Sequence, residues 1–366
     1  MLRFEELIGD EEKALVLKAL NETSISQGKF VNKFEEKFCN YLGIKNAIAT
    51  MNGTATLHLA LESLGIKKGD EVIVPSFTFI ATANAVIYAG AKPVFVNADE
   101  EDFCINPDLI EEKINEKTKA IIPVHIFGHP ADMDKINNIA KKNNLFVIED
   151  AAESLGSLYK DKKTGTLSDI SGFSFYSNKI LSTGEGGMCA TNDNELNKKM
   201  RLLRAQGKVK TEELNDENYA QKQYYHDMLG FNYRMTEIQA ALGIPQLNKM
   251  YERLRRKRQI AKIYEKELNG LVEFQNEKKY AKSCYWIFAI LAKDKKEQIK
   301  IANEFKKNKI PFRSFFWPID KQPFYENSYC EISSKIAERG MMLPCNSLAE
   351  GEDINRVRKA IMTATK

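Results

Sequence analysis

Residues 173–187 read FSFYSNKILSTGEGG, and the prediction of the fold and the site starts from this stretch. Its lysine, Lys179, stands between a short apolar run that predicts a strand and a glycine-rich return. Lysine is rarely placed in such a setting for packing alone. A partly desolvated lysine loses proton affinity, and its amine can then attack a carbonyl to form a Schiff base. A solvated lysine at a strand end is the common alternative, so the assignment depends on residues upstream.

Asp150 ends the sequence LFVIED at residues 145–150, upstream of Lys179. Its apolar run predicts a parallel strand buried on both faces. A carboxylate at the end of such a strand lies where open α/β sheets bind ligands. Pyridoxal phosphate needs both a lysine for its aldehyde and an acid that keeps its ring nitrogen protonated. Asp150 could equally cap a following helix, but its presence makes Lys179 the candidate catalytic residue.

The composition indicates a globular protein of ordinary character. The chain has 366 residues, of which 43% are hydrophobic and 28% charged, which is enough for a large core and two domains. The net charge of +4 is too small to imply nucleic-acid binding. Six scattered cysteines predict reduced, cytoplasmic thiols. An acidic N-terminal sequence and the lack of any apolar run near ~20 residues predict neither a signal peptide nor a membrane helix.

The first half of the chain alternates between predicted strands and helices. This order predicts an α/β fold with a doubly wound, mostly parallel sheet whose strand carboxyl ends share one edge. Residues 187–191 predict an antiparallel return strand, since the loop before them is too short for a crossover helix. The predicted strands are 47–51, 71–75, 92–97, 120–125 and 145–150, and the predicted helices are 10–20, 30–42, 107–116 and one ending near 143.

The last hundred residues change character and predict a small α+β domain. A helix at 194–206 and a polar, mobile loop at 207–230 precede it, followed by a long helix near 236–269 that Pro245 should kink or restart. The boundary is expected inside that helix, which divides the chain into a large domain, 1–245, and a small domain, 246–366. The predicted elements of the small domain are strands 285–291 and 313–317 and helices 296–308, 332–339 and 352–363.

Two further motifs could contact a cofactor. Gly53 and Thr54 follow the first strand at the start of a helix, where backbone N–H groups and a hydroxyl can bind a phosphate. A plain capped helix is the alternative. Phe79 follows the strand 71–75 and could stack on a pyridine face, although its spacing alone favours a core position.

The remaining polar features favour neither a metal nor a nucleic-acid site. The four histidines (His58, His125, His129 and His226) lack metal-ligand spacing, so no metal is expected. His125 is explained as a half-buried, hydrogen-bonded residue at a strand end. The basic run RLRRKR at 253–258 has glutamates nearby and predicts a solvated helix face.

Taken together, these motifs resemble the DegT/DnrJ/EryC1/StrS family of sugar aminotransferases, from about Ser24 to the C-terminus. Several ordered motifs are more specific than any single one. The resemblance implies the aspartate-aminotransferase fold (fold type I) and a homodimer with active sites at the subunit interface. The motifs are NGT at 52–54, PSFTF at 75–79, PVH at 123–125, EDAAE at 149–153, the stretch 173–187, and NYRMT at 232–236.

The resemblance also implies roles for individual residues. Lys179 would bind the cofactor aldehyde, Asp150 would pair with the ring nitrogen, and Phe79 would stack on the ring. The other cofactor contacts would be Glu153 near the ring hydroxyl, Gly53, Thr54 and Ser174 at the phosphate, and Asn232 at the phosphate of the partner subunit. The expected substrate contacts are Ser26, Arg313 and Phe316.

Three stretches resemble the perosamine-synthase branch, which aminates C4 of GDP-4-keto-6-deoxymannose. They are 125–133, 176–187 and 313–318, and Glu153 also fits, since many other members carry glutamine there. Related enzymes aminate UDP- or dTDP-linked 4-ketosugars, as in bacillosamine synthesis. One departure is Asp320, where relatives often have histidine. Family dehydratases carry histidine at the lysine position, so Lys179 disfavours that activity.

The predicted activity is transfer of the amino group of glutamate to C4 of a nucleotide-linked 4-keto-6-deoxy sugar for surface polysaccharide synthesis. An alternative of another class is a catalytically silent regulator on the same fold that touches DNA through residues 253–258. A nicotinamide dehydrogenase is disfavoured, because no GxGxxG follows the first strand.

Overall fold

The structure is a computed structural model that describes residues 8–22, 24–209, 224–325, 328–345 and 351–365. The helices within these ranges are α1 Asp10–Leu20, α2 Lys29–Leu42, α3 Gly53–Ser63, α4 Ala81–Tyr88, α5 Met133–Lys142, α6 Asn194–Arg204, α7 Glu237–Asn248, α8 Met250–Leu268, α9 Lys295–Lys307, α10 Glu331–Arg339 and α11 Gly351–Ala364. The strands are β1 Asn46–Thr50, β2 Glu71–Pro75, β3 Lys92–Val96, β4 Thr118–Ile121, β5 Phe146–Asp150, β6 Leu158–Tyr159, β7 Lys162–Lys163, β8 Ile170–Ser174, β9 Gly187–Thr191, β10 Glu273–Phe274, β11 Ala281–Lys282, β12 Phe288–Leu291, β13 Arg313–Ser314 and β14 Gly340–Leu343.

A seven-stranded sheet with the order β1-β9-β8-β5-β4-β2-β3 forms the centre of the larger part of the chain. The run β8-β5-β4-β2-β3 pairs in parallel, whereas β9 pairs antiparallel with both β8 and β1. The predicted mostly parallel sheet and the antiparallel return of β9 are therefore confirmed. Since only β9 is reversed, the carboxyl ends of β1, β2, β5 and β8 lie at one edge of the sheet.

Both faces of this sheet are covered, and β2 shows why its strands are apolar throughout. Val72 and Val74 pack with Leu57 and Leu59 of α3 in one core cluster. Ile73, which points to the opposite face, belongs to a second cluster with Phe34 of α2. A strand buried on both faces needs consecutive apolar residues, which is the pattern that predicted the parallel sheet.

A second, four-stranded sheet with the order β10-β12-β14-β13 is antiparallel and lies in the last hundred residues. Residues of α8, α9 and α11 pack on it in a separate core cluster. The division of the chain at 245/246 stays a prediction. In the part of the chain that the structure describes, no helix is both long enough and apolar enough to cross a membrane.

The predicted helix at 107–116 is wrong. The segment forms two short 3-10 turns, Pro107–Leu109 and Glu111–Lys113. The N–H of Asn115 donates to the Thr118 hydroxyl, and its side-chain oxygen accepts from the N–H of Lys117. This side-chain turn takes the backbone out of the helical path before β4 begins.

The long helix predicted near 236–269 is two helices, but Pro245 does not separate them. The break falls at Lys249, and Pro245 lies inside α7. The side chain of Gln246 donates to the backbone oxygens of Leu242 and Ser182, so it supplies hydrogen bonds next to the proline. The predicted mobile loop at 207–230 falls largely on residues 210–223, which lie outside the described residues.

Two predicted strands are shorter than expected, and several short strands were missed. β12 begins only at Phe288, because Tyr285 has a left-handed φ of 48° that interrupts an extended chain. Only Arg313 and Ser314 of the segment 313–317 pair as a strand. The sequence did not predict β14, or the small sheet β11-β6-β7, because isolated strands of two to four residues carry too few side chains to show a period.

Glu35 of α2 ties β1 to α6 at the edge of the central sheet. It is 6% exposed and accepts hydrogen bonds from the N–H of Ala49, at 2.8 Å, and from the guanidinium groups of Arg201 and Arg204. The arginines also donate to the backbone oxygens of Ala47 and Ala49. This arrangement holds the strand that leads directly into the start of α3.

We expect Glu35→Gln to lower the free energy of unfolding by about 3–5 kcal/mol, because it leaves the buried guanidinium of Arg204 without a compensating charge. Glu36→Gln, the neighbouring exposed position on the same helix, should change it by less than about 0.5 kcal/mol. Urea denaturation measures both values. Equal stabilities for the two variants would contradict a structural role of this ion pair.

Candidate active site

A cavity of about 680 Å³ opens at the carboxyl edge of the central sheet. It is bounded by the ends of β2, β5 and β8, the start of α3, and residues of the second sheet. The sequence-predicted residues that line it are Gly53, Thr54, Phe79, Asp150, Glu153, Ser174, Lys179, Arg313 and Phe316. The structure therefore brings together nearly all of the proposed site from segments far apart in the chain.

Lys179 lies inside this cavity with its side chain 13% exposed. Its Nζ is 3.8 Å from Oε1 of Glu153 and 3.7 Å from the ring centroid of Trp286. Burial lowers the pKa of the amine, while the nearby charges of Glu153 and Asp150 oppose that shift. The alternative of a solvated lysine at a strand end is wrong, and the shift is in the direction that a nucleophilic amine requires.

Asp150 ends β5 and is 5% exposed. The hydroxyl of Thr82 donates to its Oδ2 at 2.8 Å, and the N–H of Ala152 donates to its Oδ1 at 3.1 Å. Burial raises the pKa of this carboxyl, and the hydrogen bond from Thr82 opposes the rise. The alternative role as a helix cap is wrong, because residues 151–157 form turns. A buried acid held in this way suits the protonated ring nitrogen of pyridoxal phosphate.

The start of α3 meets the end of β8 closely enough to form an anion site. Asn52 caps the helix by accepting from the N–H of Ala55 at 2.8 Å. The first N–H groups of a helix have no acceptor within the helix, so those of Gly53 and Thr54 can bind a phosphate. A Cβ at Gly53 would lie 2.7 Å from Cβ of Ser174, so only glycine permits this approach. The residues present thus fit the phosphate group of the cofactor.

Glu153 is held by the segment that follows β4. The N–H of Phe127, which has a left-handed φ of 59°, donates to its Oε2 at 2.7 Å. Its Oε1 is left facing Lys179. Burial raises the pKa of Glu153 to about 7, against the charge of Lys179, which lowers it. The carboxyl can therefore exchange a proton near neutral pH, next to the amine.

Phe79 is 57% exposed and lines the cavity, so the core position favoured by its spacing is wrong. Phe77, which is fully buried, is the core residue of this segment. The ring of Phe79 meets that of Phe316 edge to face, with centroids 5.9 Å apart. Stacking of Phe79 on the cofactor stays a prediction, and these two rings supply an aromatic wall for it.

Two predicted contacts do not line this cavity. Ser26 is exposed in the turn before α2, and Asn232 is exposed next to Tyr233, whose hydroxyl bonds to His58. Their roles stay predictions. Asp320 is also absent from the lining. It is 1% exposed and accepts hydrogen bonds from the Ser76 hydroxyl and the Cys330 N–H. Asp320 therefore joins the segment after β2 to the segment before α10.

Trp286, Thr82 and Asn178 also line the cavity, but the sequence analysis gave them no role. The predicted strand 285–291 includes Trp286. The left-handed backbone at Tyr285 removes it from the strand, and the sequence offered no signal for that conformation. Thr82 lies in the first turn of α4, and its contact with Asp150 depends on the tertiary fold.

The basic run at 253–258 is not a solvated face throughout. Arg253 and Lys257 are buried, and Arg258 is partly buried. Arg253 donates to the backbone oxygen of Ile180, Lys257 to that of Trp286, and Arg258 to that of Ser283. The solvated-face prediction is therefore wrong for these three residues, which instead support segments next to the cavity. A DNA-binding surface made from this run is not supported either.

His125 is fully buried, not half-buried as predicted. Its Nδ1 accepts from the N–H of Ala131 at 3.1 Å, and its Nε2 lies 3.0 Å from Oε1 of Glu149. The same carboxylate accepts from the N–H groups of Gly165 and Leu167. The prediction that His125 is hydrogen-bonded is confirmed, since both ring nitrogens have partners. Through these contacts His125 joins the segments on either side of β5.

Asp102, Cys104 and His129 form a buried group of potential metal ligands in the described part of the chain. Burial lowers the pKa of His129 to about 3, so its ring is neutral. Its Nε2 accepts from the N–H of Lys278, which places the ring proton on Nδ1, facing the Cys104 thiol. Because Nδ1 carries a proton, it has no lone pair for a metal ion. The hydrogen bonds of His129 are sufficient to account for the position of its ring in this group. The expectation of no metal stays a prediction.

Comparison with known proteins decides the family. The model of the DegT/DnrJ/EryC1/StrS aminotransferase family matches residues 6–362. The chain belongs to this family. It is 41% identical to the GDP-perosamine synthase of Escherichia coli O157:H7, over 98% of this chain and 96% of that protein. It is likewise 41% identical to the GDP-perosamine synthase of Caulobacter vibrioides, over 96% and 94% of the two chains.

The solved structures agree with this assignment. A DegT/DnrJ/EryC1/StrS aminotransferase from Brucella abortus superposes with a TM-score of 0.92 at 29% identity, covering 100% of both chains. The predicted fold, the aminotransferase activity and the dependence on pyridoxal phosphate are confirmed by these findings. An aminotransferase of this family needs both an amino donor and an acceptor.

The pKa of Glu153 predicts how stability depends on pH in the cofactor-free protein. In the folded state this pKa is about 7, above the ordinary value of 4.5. Between these pH values the folded state keeps a proton that the unfolded state has lost, so this carboxyl makes the free energy of unfolding fall as pH rises. Glu153→Gln removes the titration and keeps an acceptor for Phe127.

We expect Glu153→Gln to be more stable relative to the wild type at about pH 8 than at about pH 5, by up to about 3 kcal/mol. Urea denaturation at the two pH values measures the difference, and the exposed Glu36→Gln serves as a control that should show none. A constant difference between Glu153→Gln and the wild type would contradict the raised pKa.

Proposed function

We propose that the protein transfers the amino group of glutamate to C4 of a GDP-linked 4-keto-6-deoxy sugar, as a GDP-perosamine synthase does, for surface polysaccharide synthesis. The observation that carries this proposal is the placement of Lys179, Glu153 and Asp150 in one cavity. The near full-length similarity to two proteins named GDP-perosamine synthase supports the choice of sugar.

The residues of the cavity have separate tasks in this reaction. When bound, pyridoxal phosphate supplies the aldehyde that carries nitrogen and the ring that accepts electrons. Asp150 would hold the ring nitrogen, and the start of α3 with Ser174 would hold the phosphate. Lys179 would anchor the cofactor through its amine. When that amine is free, it would act as general base and acid, carrying a proton between the α-carbon of the donor and the C4′ carbon of the cofactor. Both half-reactions use one cavity, so the kinetics should be ping-pong.

The acceptor side of the cavity fits a nucleotide-linked sugar. Arg313 lies at its edge, exposed, where a guanidinium can pair with a diphosphate. Phe316, whose ring meets that of Phe79, would provide apolar surface for the sugar ring. Ser26 is a further proposed substrate contact, although it does not line the cavity of its own chain.

A homodimer is part of the proposal. Asn232 is exposed and lies outside the cavity of its own chain, which is consistent with a contact to the phosphate in the partner subunit. The large domain, 1–245, would then carry the cofactor contacts, and the small domain, 246–366, would contribute Arg313, Phe316 and Trp286.

The similar proteins do not favour the silent regulator or the UDP-linked alternative.

Lys179→Ala should abolish turnover, because Lys179 is the lysine that lines the cavity among the described residues, and its amine would hold the cofactor and move the proton. Lys160→Ala, which removes an exposed lysine, should keep the wild-type rate. Borohydride reduction of the wild-type holoenzyme should fix the cofactor on the peptide that contains Lys179, as mass spectrometry would show. Normal turnover by Lys179→Ala would exclude the proposed role.

The acceptor is tested with enzyme that glutamate has converted to its aminated, colourless form and that is then freed of donor. We expect GDP-4-keto-6-deoxymannose to restore the visible absorption band of the lysine-bound cofactor. Restoration by a UDP-linked 4-ketosugar alone would assign the protein to the bacillosamine-like branch. If glutamate never bleaches the band, the proposed donor is wrong.

A further inference from the structure

Trp286 forms the wall of the cavity against which the amine of Lys179 lies. The distance from Nζ to the ring centroid is 3.7 Å, and Trp286 is 7% exposed. Its indole N–H donates to the backbone oxygen of Asn178 at 2.8 Å. One side chain thus contacts the reactive amine with its face and the preceding residue with its edge.

The backbone on both sides of this contact is anchored. Tyr285, with its left-handed φ of 48°, turns the chain just before β12. Lys257 donates to the backbone oxygen of Trp286, and Arg253 donates to that of Ile180, next to Lys179. Two residues of α8 therefore fix the indole and the lysine relative to each other.

Two carboxyl groups also act on the amine, and both are ionisable. Oε1 of Glu153 lies 3.8 Å from Nζ, and the charge of Asp150 also favours the cation. The indole face differs from them because it attracts a cation without titrating itself. Its attraction therefore persists whichever protonation state Glu153 adopts during the reaction.

We propose that Trp286 is a positioning residue that holds the cationic amine of Lys179 on its indole face whenever that amine is not bound to the cofactor. This inference rests on the proposed role of Lys179. A released lysine on a flexible side chain must stay within reach of both the donor carbon and the cofactor carbon, and the indole keeps it inside the cavity.

The test measures the pKa of Lys179 in the full-length chain by competitive acetylation. The reaction is run across the pH range in which lysines titrate, and mass spectrometry quantifies the label on Lys179. It is made on the holoenzyme after glutamate has released the lysine, and on the cofactor-free chain, which requires no donor. The variants are Trp286→Leu, which removes the aromatic face, and Trp286→Phe, which keeps a weaker one. Trp317→Leu, at the other tryptophan of the chain, is the matched control.

We expect Trp286→Leu to lower the pKa of Lys179 by about one pH unit, because the cation loses the indole face. At a given pH this change corresponds to a roughly tenfold lower ratio of protonated to neutral amine. Trp286→Phe should lower it less, and Trp317→Leu should leave it unchanged. A side chain that only filled space would, on removal, admit water and raise the pKa. An unchanged or raised pKa in the Trp286 variants would overturn the proposal.

The two proposals fail separately. Failure of glutamate to bleach the visible band would remove the proposed function, whatever the acetylation of the cofactor-free chain showed. A wild-type pKa in both Trp286 variants would remove the positioning role and leave the function of Lys179 intact.

Discussion

Burial of a lysine amine among acidic side chains is the constraint on which the rest of the site depends. Desolvation disfavours the cation of Lys179, and the carboxylates of Glu153 and Asp150 favour it. The amine is therefore kept in a balance in which either protonation state is accessible, which both nucleophilic attack and proton transfer require. Each acid needs its own support to remain buried. Thr82 and Ala152 supply it for Asp150, and the N–H of Phe127 supplies it for Glu153.

The sheet topology places these groups together. Parallel strands bring Asp150 and Ser174 to one edge, and the short antiparallel return of β9 leaves the Lys179 loop on that same edge. The N-terminus of α3 reaches the end of β8 only because Gly53 has no side chain. The cavity therefore offers a cation, an acid and an anion site at positions set by backbone packing, which keeps the geometry rigid.

Helix α8 supports the backbone segments on either side of the reactive lysine. Its basic residues Arg253 and Lys257 are buried and donate to backbone oxygens beside Lys179 and at Trp286. Charges that a sequence pattern assigns to solvent can thus serve as structural donors, because long basic side chains reach across an interface and satisfy carbonyl groups there.

By itself the sequence determined the class of fold, most of the helices and long strands, and the meeting of Lys179, Asp150, Gly53 and Thr54 at one edge of the sheet. Apolar runs, helix starts and the glycine-rich return are local signals, and each reflects a backbone requirement that neighbouring residues must meet. Only the tertiary structure decided that Phe79 faces the cavity, that Trp286 meets Lys179, and that Arg253 and Lys257 are buried. These outcomes depend on which distant segments pack together and on the left-handed backbone at Tyr285, and neither property leaves a periodic pattern in the chain.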